Sequence, residues 1–174
     1  YVVAPGITKI GNNAFKGCDS LSDFSLSTDI TAVGVNAFKG STKVSAVAAN
    51  SSVAKAIAAS GAENIVLDIS SACDISETTL EVGEITSFEL QGKDKEYSGL
   101  SVKSNAQTTV INGVKFVDCT NIPMEVDSEN ITLNRVTANT QGLALVMSAD
   151  TTNVKLNQNV ILKSTLGNTV LCKN

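Results

Sequence analysis

Residues 7–18, ITKIGNNAFKGC, return 23 positions later as residues 30–41, ITAVGVNAFKGS. Ile7 maps to Ile30, Ile10 to Val33, Gly11 to Gly34, Ala14 to Ala37, Phe15 to Phe38 and Gly17 to Gly40. An apolar triplet spaced L-x-x-L-x-L follows each copy: Leu21, Phe24 and Leu26, then Val44, Val47 and Ala49. A period in the twenties is the mark of a solenoid, in which each turn buries its apolar face only against its neighbours. Phe15 and Phe38 occupy one position of a repeat whose other fixed residues are small or aliphatic. The spacing therefore predicts that the two rings stack in successive turns and are buried.

Beyond this repeat the period persists with different residues. Five segments align from Ile65: I65-V-L67-D68, T86-S-F88-E89, T109-V-I111-N112, I131-T-L133-N134 and V154-K-L156-N157. Each reads inward, outward, inward, then short and polar. A second set is L80-E-V82, L100-S-V102, I122-P-M124 and L143-A-L145, with a fifth member expected between Thr169 and Cys172. Gly99, Asn121 and Gly142 precede members of this set, where a bend is needed. A third set is V114-K-F116, V136-T-A138 and V160-I-L162. Three short strands per turn of about 22 residues is the pattern of a parallel β-helix. The rival is an antiparallel β-sandwich, which favours two-residue hairpin turns. Asn112-Gly113 is the one Asn-Gly dipeptide, and hairpins give no reason for one polar position to recur every turn. Asn112, Asn134 and Asn157 are therefore predicted to form a ladder at the bend, with Glu89 or Asp68 in the same place upstream, and with Asn159 as the substitute for Asn157. Asparagine tolerates the left-handed backbone that a sharp bend needs.

The motif IG-x-x-AF-x-GC followed by a strand resembles the BspA-type leucine-rich repeat of bacterial surface proteins, over about residues 1–66. The resemblance implies a surface location and a role in adhesion; it implies no particular ligand. The expected fold is an all-β, right-handed solenoid. Residues 1–63 form leucine-rich repeats with a junction helix at about 51–60, and residues 64–174 form the parallel β-helix. In NSSVAKAIAASG, residues 50–61, Asn50 or Ser51 can cap the helix and Gly61 can close it. Its alanines and isoleucine at 54, 56, 57 and 58 fit a cap over the repeat core. Tyr1 and Val3 fall in the register of Phe24 and Leu26, so the sequence reads as a piece that begins inside a repeat, with a secretion signal or wall anchor expected outside it.

Composition narrows the function. Hydrophobic residues make up 43% of 174 residues, enough for a packed core. Ser, Thr and Asn number 19, 17 and 16, which is strand-and-turn chemistry. The net charge is −4 and Arg135 is the lone arginine, so no basic footprint for nucleic acid exists. No run of 18 apolar residues is present, and no membrane insertion of this segment is expected. Cys18, Cys73, Cys119 and Cys172 lack metal spacing and have no histidine to assist them. They read as small hydrophobes of the core, with disulfides as the alternative.

No cofactor, metal ligand or catalytic residue is expected. Phosphate loops, nucleophile elbows and zinc-protease motifs are missing, and without histidine the usual base for a Ser or Cys nucleophile is missing too. The enzymatic alternative is a β-helix polysaccharide lyase or glycoside hydrolase. A hydrolase needs two carboxylates about 5–9.5 Å apart. Residues 118–129 supply Asp118, Glu125, Asp127 and Glu129, with Glu125 outward if Ile122 and Met124 point inward. Residues 93–97, KDKEY, are a second candidate, read as a charged loop. Both stretches also suit solvated turns. Arg135 has no acidic triplet aligned beside it. Asn50 and Asn130 match the glycosylation sequon and read as coincidence. The expected function is a non-catalytic secreted or cell-surface protein of a bacterium that binds host extracellular proteins or glycans; a passive stalk is the remaining alternative.

Overall fold

The computed structural model describes residues 6–20, 23–72 and 74–173. Tyr1, Val3, Leu21 and Cys73 lie outside the described residues. The first half contains β1 (Lys9–Ile10), β2 (Phe24–Leu26), β3 (Ala32–Val33), β4 (Lys43–Val47), helix α1 (Ser51–Ala58), β5 (Asn64–Asp68) and β6 (Thr79–Val82). Then come β7 (Ser87–Ser98), β8 (Ser101–Ser104), β9 (Thr108–Val117), β10 (Met124–Val126) and β11 (Asn130–Asn134). The chain closes with β12 (Thr137–Thr140), β13 (Leu145–Met147), β14 (Asn153–Leu156), β15 (Ile161–Ser164) and β16 (Val170–Cys172).

These strands form a parallel β-solenoid of about seven turns. One long sheet runs β14-β11-β9-β7-β5-β4-β2, and every rung is parallel. A second sheet runs β16-β13-β10-β8-β6. The distal halves of β7 and β9 bend round a corner and continue, through β12 and β15, as a third face. Alternation in each strand explains the layering: a two-residue period sends one side chain in and the next out. Ile65, Leu67, Phe88, Leu90, Ile111 and Leu133 point inward from the long sheet and are buried. Leu80, Val102, Met124 and Leu145 do so from the second, and Tyr97, Val114, Phe116 and Ala138 from the third. Each full burial of such a large side chain contributes about 1.5–3 kcal/mol.

The repeat unit behaves as its spacing predicts, with one asymmetry. The rings of Phe15 and Phe38 stack, centroids 5.4 Å apart and planes within 8°, and Phe24 packs against both. Phe38 is fully buried, whereas Phe15 remains half-buried in the first described turn. Asn50 is the N-cap of α1, its Oδ1 accepting the Val53 N–H at 3.0 Å. The helix buries Val53, Ala54, Ile57 and Ala58 against the core. Gly61, at φ +75°, follows it, and its carbonyl accepts the Gly40 N–H as the Lys39 carbonyl accepts that of Gly17. Gly61 thus continues the glycine corner of Gly17 and Gly40, the helix fills the stretch before it, and β4 pairs with β5 in unbroken five-residue register.

Three registers differ from expectation. Phe88, not Thr86, pairs with Ile65, so Gln91 rather than Glu89 stands level with Asp68 and Asn112. Leu80, not Val82, pairs with Val102. Val44 and Ala46 pair with Phe24 and Leu26, so Val44, Ala46 and Ala48 face inward in place of Val44, Val47 and Ala49. The last turn departs too. Val154, Leu156 and Val170 hold core positions yet are exposed, because nothing among the described residues stacks upon them. Cys172 is exposed there, and Cys18 and Cys119 are half-buried, so the three thiols are not the fully buried core residues expected. All three are free rather than disulfide-bonded.

Candidate functional site

Of the carboxylates singled out by sequence, Glu125 and Asp127 line one small cleft of about 290 Å³ with Lys103 and Lys173, and Asp118 lines a different one. Met124 and Val126 are buried and Glu125 projects outward, as the alternation predicts. Its neighbours in register are Lys103 and Val146. Lys173 Nζ donates to Glu125 Oε1 at 2.6 Å, and Lys103 Nζ lies 3.9 Å from Oε2. The hydrogen bond from Lys173 holds the Glu125 carboxyl below the usual range, a state opposite to that of a general acid. Asp127 and Glu129 lie beyond the strand and are exposed. Asp118 sits at a different corner, at φ +49°. Among the described residues no group of three His, Cys, Asp or Glu side chains is placed to hold a metal ion.

The stretch 93–97 is not a loop. Lys93 and Asp94, at φ +51° and +61°, make a bulge in β7, and pairing resumes from Lys95 to Ser98 against Val114–Val117. Tyr97 is buried, and its hydroxyl donates to the Gly92 carbonyl at 2.8 Å. Burial, reinforced by the Asp68 charge, pushes its phenol up to about 12. Lys93 instead serves Asp68, Nζ to Oδ2 2.8 Å.

The bend beside the long sheet carries a polar column of Asp68, Gln91, Asn112 and Asn134 in register. Asn134 Nδ2 donates to Asn112 Oδ1 at 3.0 Å, which is the expected ladder rung. The left-handed residue is the next one along: Gly113 at φ +64° and Arg135 at φ +50°, with Asn159 at φ +53° in the last turn. Asn112 and Asn134 therefore serve as strand-end hydrogen-bonding groups, and only Asn159, the substitute for Asn157, takes the left-handed bend itself. Asn157 continues the backbone rung, its N–H donating to Leu133, without joining the side-chain ladder. Arg135 caps the column, donating from its guanidinium to Asn112 Oδ1 at 2.9 Å and to Asp94 Oδ1 at 3.0 Å.

The outer surface of the long sheet is a flat array in three columns. The entry column is Lys43, Asn64, Ser87, Thr108, Asn130 and Asn153. Neighbours in it are stitched together, Ser87 Oγ to Asn64 Oδ1 at 2.7 Å and Asn153 Nδ2 to Asn130 Oδ1 at 2.9 Å. The middle column is Ser45, Val66, Glu89, Val110, Thr132 and Lys155, and the bend column completes the set. The two sequon asparagines are thus a helix cap and a ladder rung.

Two larger clefts lie at corners of the solenoid. One, of about 540 Å³, lies between turns at Glu63, Glu84, Thr86 and Gln107. The other, of about 560 Å³, lies at the far corner between residues 118–122 and 139–143. Cys119 lines the second; burial, with the Glu77 and Asp118 charges, pushes its thiol up to about 11, which disfavours the thiolate. Sequence reading passed over this corner because it expected a tight bend at Asn121. The signal available was length: the stretch between the β9 and β10 patterns exceeds that between β7 and β8.

Comparison with known families matches residues 2–122 to the BspA type Leucine rich repeat region, in six copies. The match extends well past residue 66, where the sequence resemblance ended. No curated protein and no solved structure matches the chain.

Proposed function

The chain belongs to the BspA-type leucine-rich repeat family, and on that premise we propose that it is a non-catalytic, secreted or surface-attached bacterial protein that binds host extracellular proteins or glycans. The observation that carries the reading is the outer surface of the long sheet. Seven parallel strands present ordered columns of Ser, Thr, Asn and Val with few competing charges. A rigid, preorganised surface loses little conformational entropy on docking, so weak repeated contacts add to useful affinity. The pairing of Glu125 with Lys173 and Lys103 supports a non-catalytic role. No helix among the described residues is long and apolar enough to cross a membrane.

The test is an array of host matrix proteins and glycans probed with the purified protein and with the variant Val110→Arg/Thr132→Arg, which places two cations in the middle column. Binding by the native protein that the variant loses is the expected result. Binding that the variant retains moves the site elsewhere, and absence of any binding leaves a passive stalk. Release of reducing ends or unsaturated products from polysaccharides by the native protein, lost in Glu125→Gln, overturns the non-catalytic reading.

A further inference from the structure

The cleft between residues 118–122 and 139–143 is built by an insertion. Glu77, Gly99 and Asp118 form a corner column, each at positive φ, at +48°, +64° and +49°. The Glu77 N–H donates to Ser98 and the Gly99 N–H to Val117, which fixes the stacking. From Glu77 to Leu80 is three residues, and from Gly99 to Val102 is three. From Asp118 to Met124, the next member of the same register, is six. The three extra residues lengthen this corner, and in the following turn residues 141–144 connect β12 to β13 beside it. A flat solenoid wall becomes a groove of about 560 Å³, within the range of pockets that hold small ligands.

The groove has a consistent chemistry. Ile122 and Leu143 are half-buried and supply an aliphatic floor, while Asn121, Asn139 and Gln141 stand exposed around it. Asp118 is the one charged residue of the lining; no lysine or arginine contributes. The amides differ from those of the long sheet in being uncommitted. Asn64 donates to backbone, Asn134 donates to Asn112 and Asn153 donates to Asn130. Asn121, Asn139 and Gln141 make no side-chain hydrogen bond among the described residues, so donors and acceptors face the groove unspent.

We propose that this groove is a binding site for a neutral saccharide, distinct from the long sheet surface. Paired hydroxyls on a sugar ring match side-chain amides, which offer a donor and an acceptor together. A single carboxylate accepts from hydroxyls and repels acidic ligands. An aliphatic floor suits the C–H face of a pyranose. An extended peptide fits less well, because the only strand in the groove wall is the end of β12, Asn139–Thr140, and two residues past its pairing with β9 offer too short an edge for main-chain pairing. The proposal rests on the binding-protein reading above, and adds a second site and a ligand class to it.

Titration of isotope-labelled protein by NMR with hexaoses of glucose, mannose and galactose tests it, with hexagalacturonate and a fifteen-residue Gly/Ser peptide alongside. Saturable shifts confined to residues 118–143 for at least one neutral hexaose are expected. Asn121→Ala and Gln141→Ala, both exposed, should each weaken that binding by tenfold or more, while Val110→Arg/Thr132→Arg leaves it unchanged. Shifts at the long sheet only, or a groove that prefers the peptide or hexagalacturonate, overturn the proposal and leave the binding-protein reading standing. A blank titration overturns it as well; joined to a blank array, it removes both.

Discussion

Arg135 reaches across an intervening turn to Asp94, Nε to Oδ1 3.0 Å, a partner 41 residues earlier in the chain. The intervening turn carries Gly113 at that corner. A Cβ there would meet Asp94 N and Oδ1, so glycine leaves room for the bulge that presents Asp94. Arg135 also binds Asn112 in that turn, so three turns are tied at one edge.

Gly113→Ala should therefore be costly. A Cβ there meets Asp94 N at 2.9 Å and Oδ1 at 3.0 Å, and φ is +64°. Left-handed backbone alone costs a non-glycine residue about 1–2 kcal/mol, and displacing the bulge at Asp94 adds to it. Gly142→Ala is the control, since a Cβ there meets nothing within 4 Å and no positive φ is involved. Urea unfolding should show Gly113→Ala losing about 2–3 kcal/mol and Gly142→Ala much less. Equal losses would mean that the corner is not tight.

Arg135 is itself at φ +50°, so its replacement separates backbone from side chain. Its side chain is 40% exposed and that of Asp94 54%, and such pairs are worth about 0.2–1 kcal/mol. Arg135→Ala loses the pair and keeps the strained backbone. Arg135→Gly loses the pair and relaxes the backbone. The glycine variant should unfold at a urea concentration equal to or above that of the alanine variant, and the reverse order would remove the strain.

Phe38 and Phe15 share a repeat position but not an environment. Phe38→Ala should cost about 3–5 kcal/mol, because its ring is wholly enclosed. Phe15, half-buried in the first described turn, should cost clearly less when truncated. Calorimetry on both variants gives the comparison; a larger loss at Phe15 would invert the assigned burial.

The limits of reading this fold from sequence follow from the geometry of strands. A one-residue slip turns every side chain to the other face, so alternation detects it. A two-residue slip keeps every face intact. Both Thr86-Ser87-Phe88-Glu89 and Phe88-Glu89-Leu90-Gln91 alternate correctly, and only the cross-strand pairing of Phe88 with Ile65 decides. Leu80 against Val102 is the same case. The first repeat was legible through its aromatic and glycine spacing. The charged run at 93–97 was not, because its buried Tyr97 is masked by outward charges on an edge of the solenoid. The groove was legible only as surplus length, and length does not say which residues leave the wall.

Asp68 gives the pH dependence. Burial alone raises a carboxyl, but the Lys93 hydrogen bond and the Ser70 hydrogen bonds outweigh it and hold the group below its ordinary value. The Ser70 N–H bond to Oδ1 is 2.8 Å and buried. A depressed folded pKa means that the stabilisation is fully present above the unfolded value, about 3.9, and is lost as the pH falls through the folded one. The urea midpoints of native protein and Asp68→Asn should differ at pH 7 and converge towards pH 2.5. A gap independent of pH would assign the effect to shape, not charge.

The inward column of the long sheet is apolar at Ile65, Phe88 and Ile131, yet Thr109 stands among them and is fully buried. Its hydroxyl is the middle of a chain, 2.7 Å from Ser104 Oγ and 2.8 Å from Ser128 Oγ. Both serines are buried as well, so the trio links two sheets and the turn before β11 through hydroxyls alone. A hydroxyl in a core is tolerated only when its partners are also present. Thr109→Val preserves shape but strands two buried serine hydroxyls, and should cost about 1–3 kcal/mol. Ser104→Ala/Thr109→Val/Ser128→Ala removes all three hydroxyls and gives up besides only the long 3.4 Å bond from the Ala106 N–H to Ser104 Oγ. If the chain is a closed network, the triple variant should be more stable than Thr109→Val, with non-additivity of at least about 0.5 kcal/mol. Additive losses across the three sites would show that the hydroxyls are satisfied independently and that no network spans the corner.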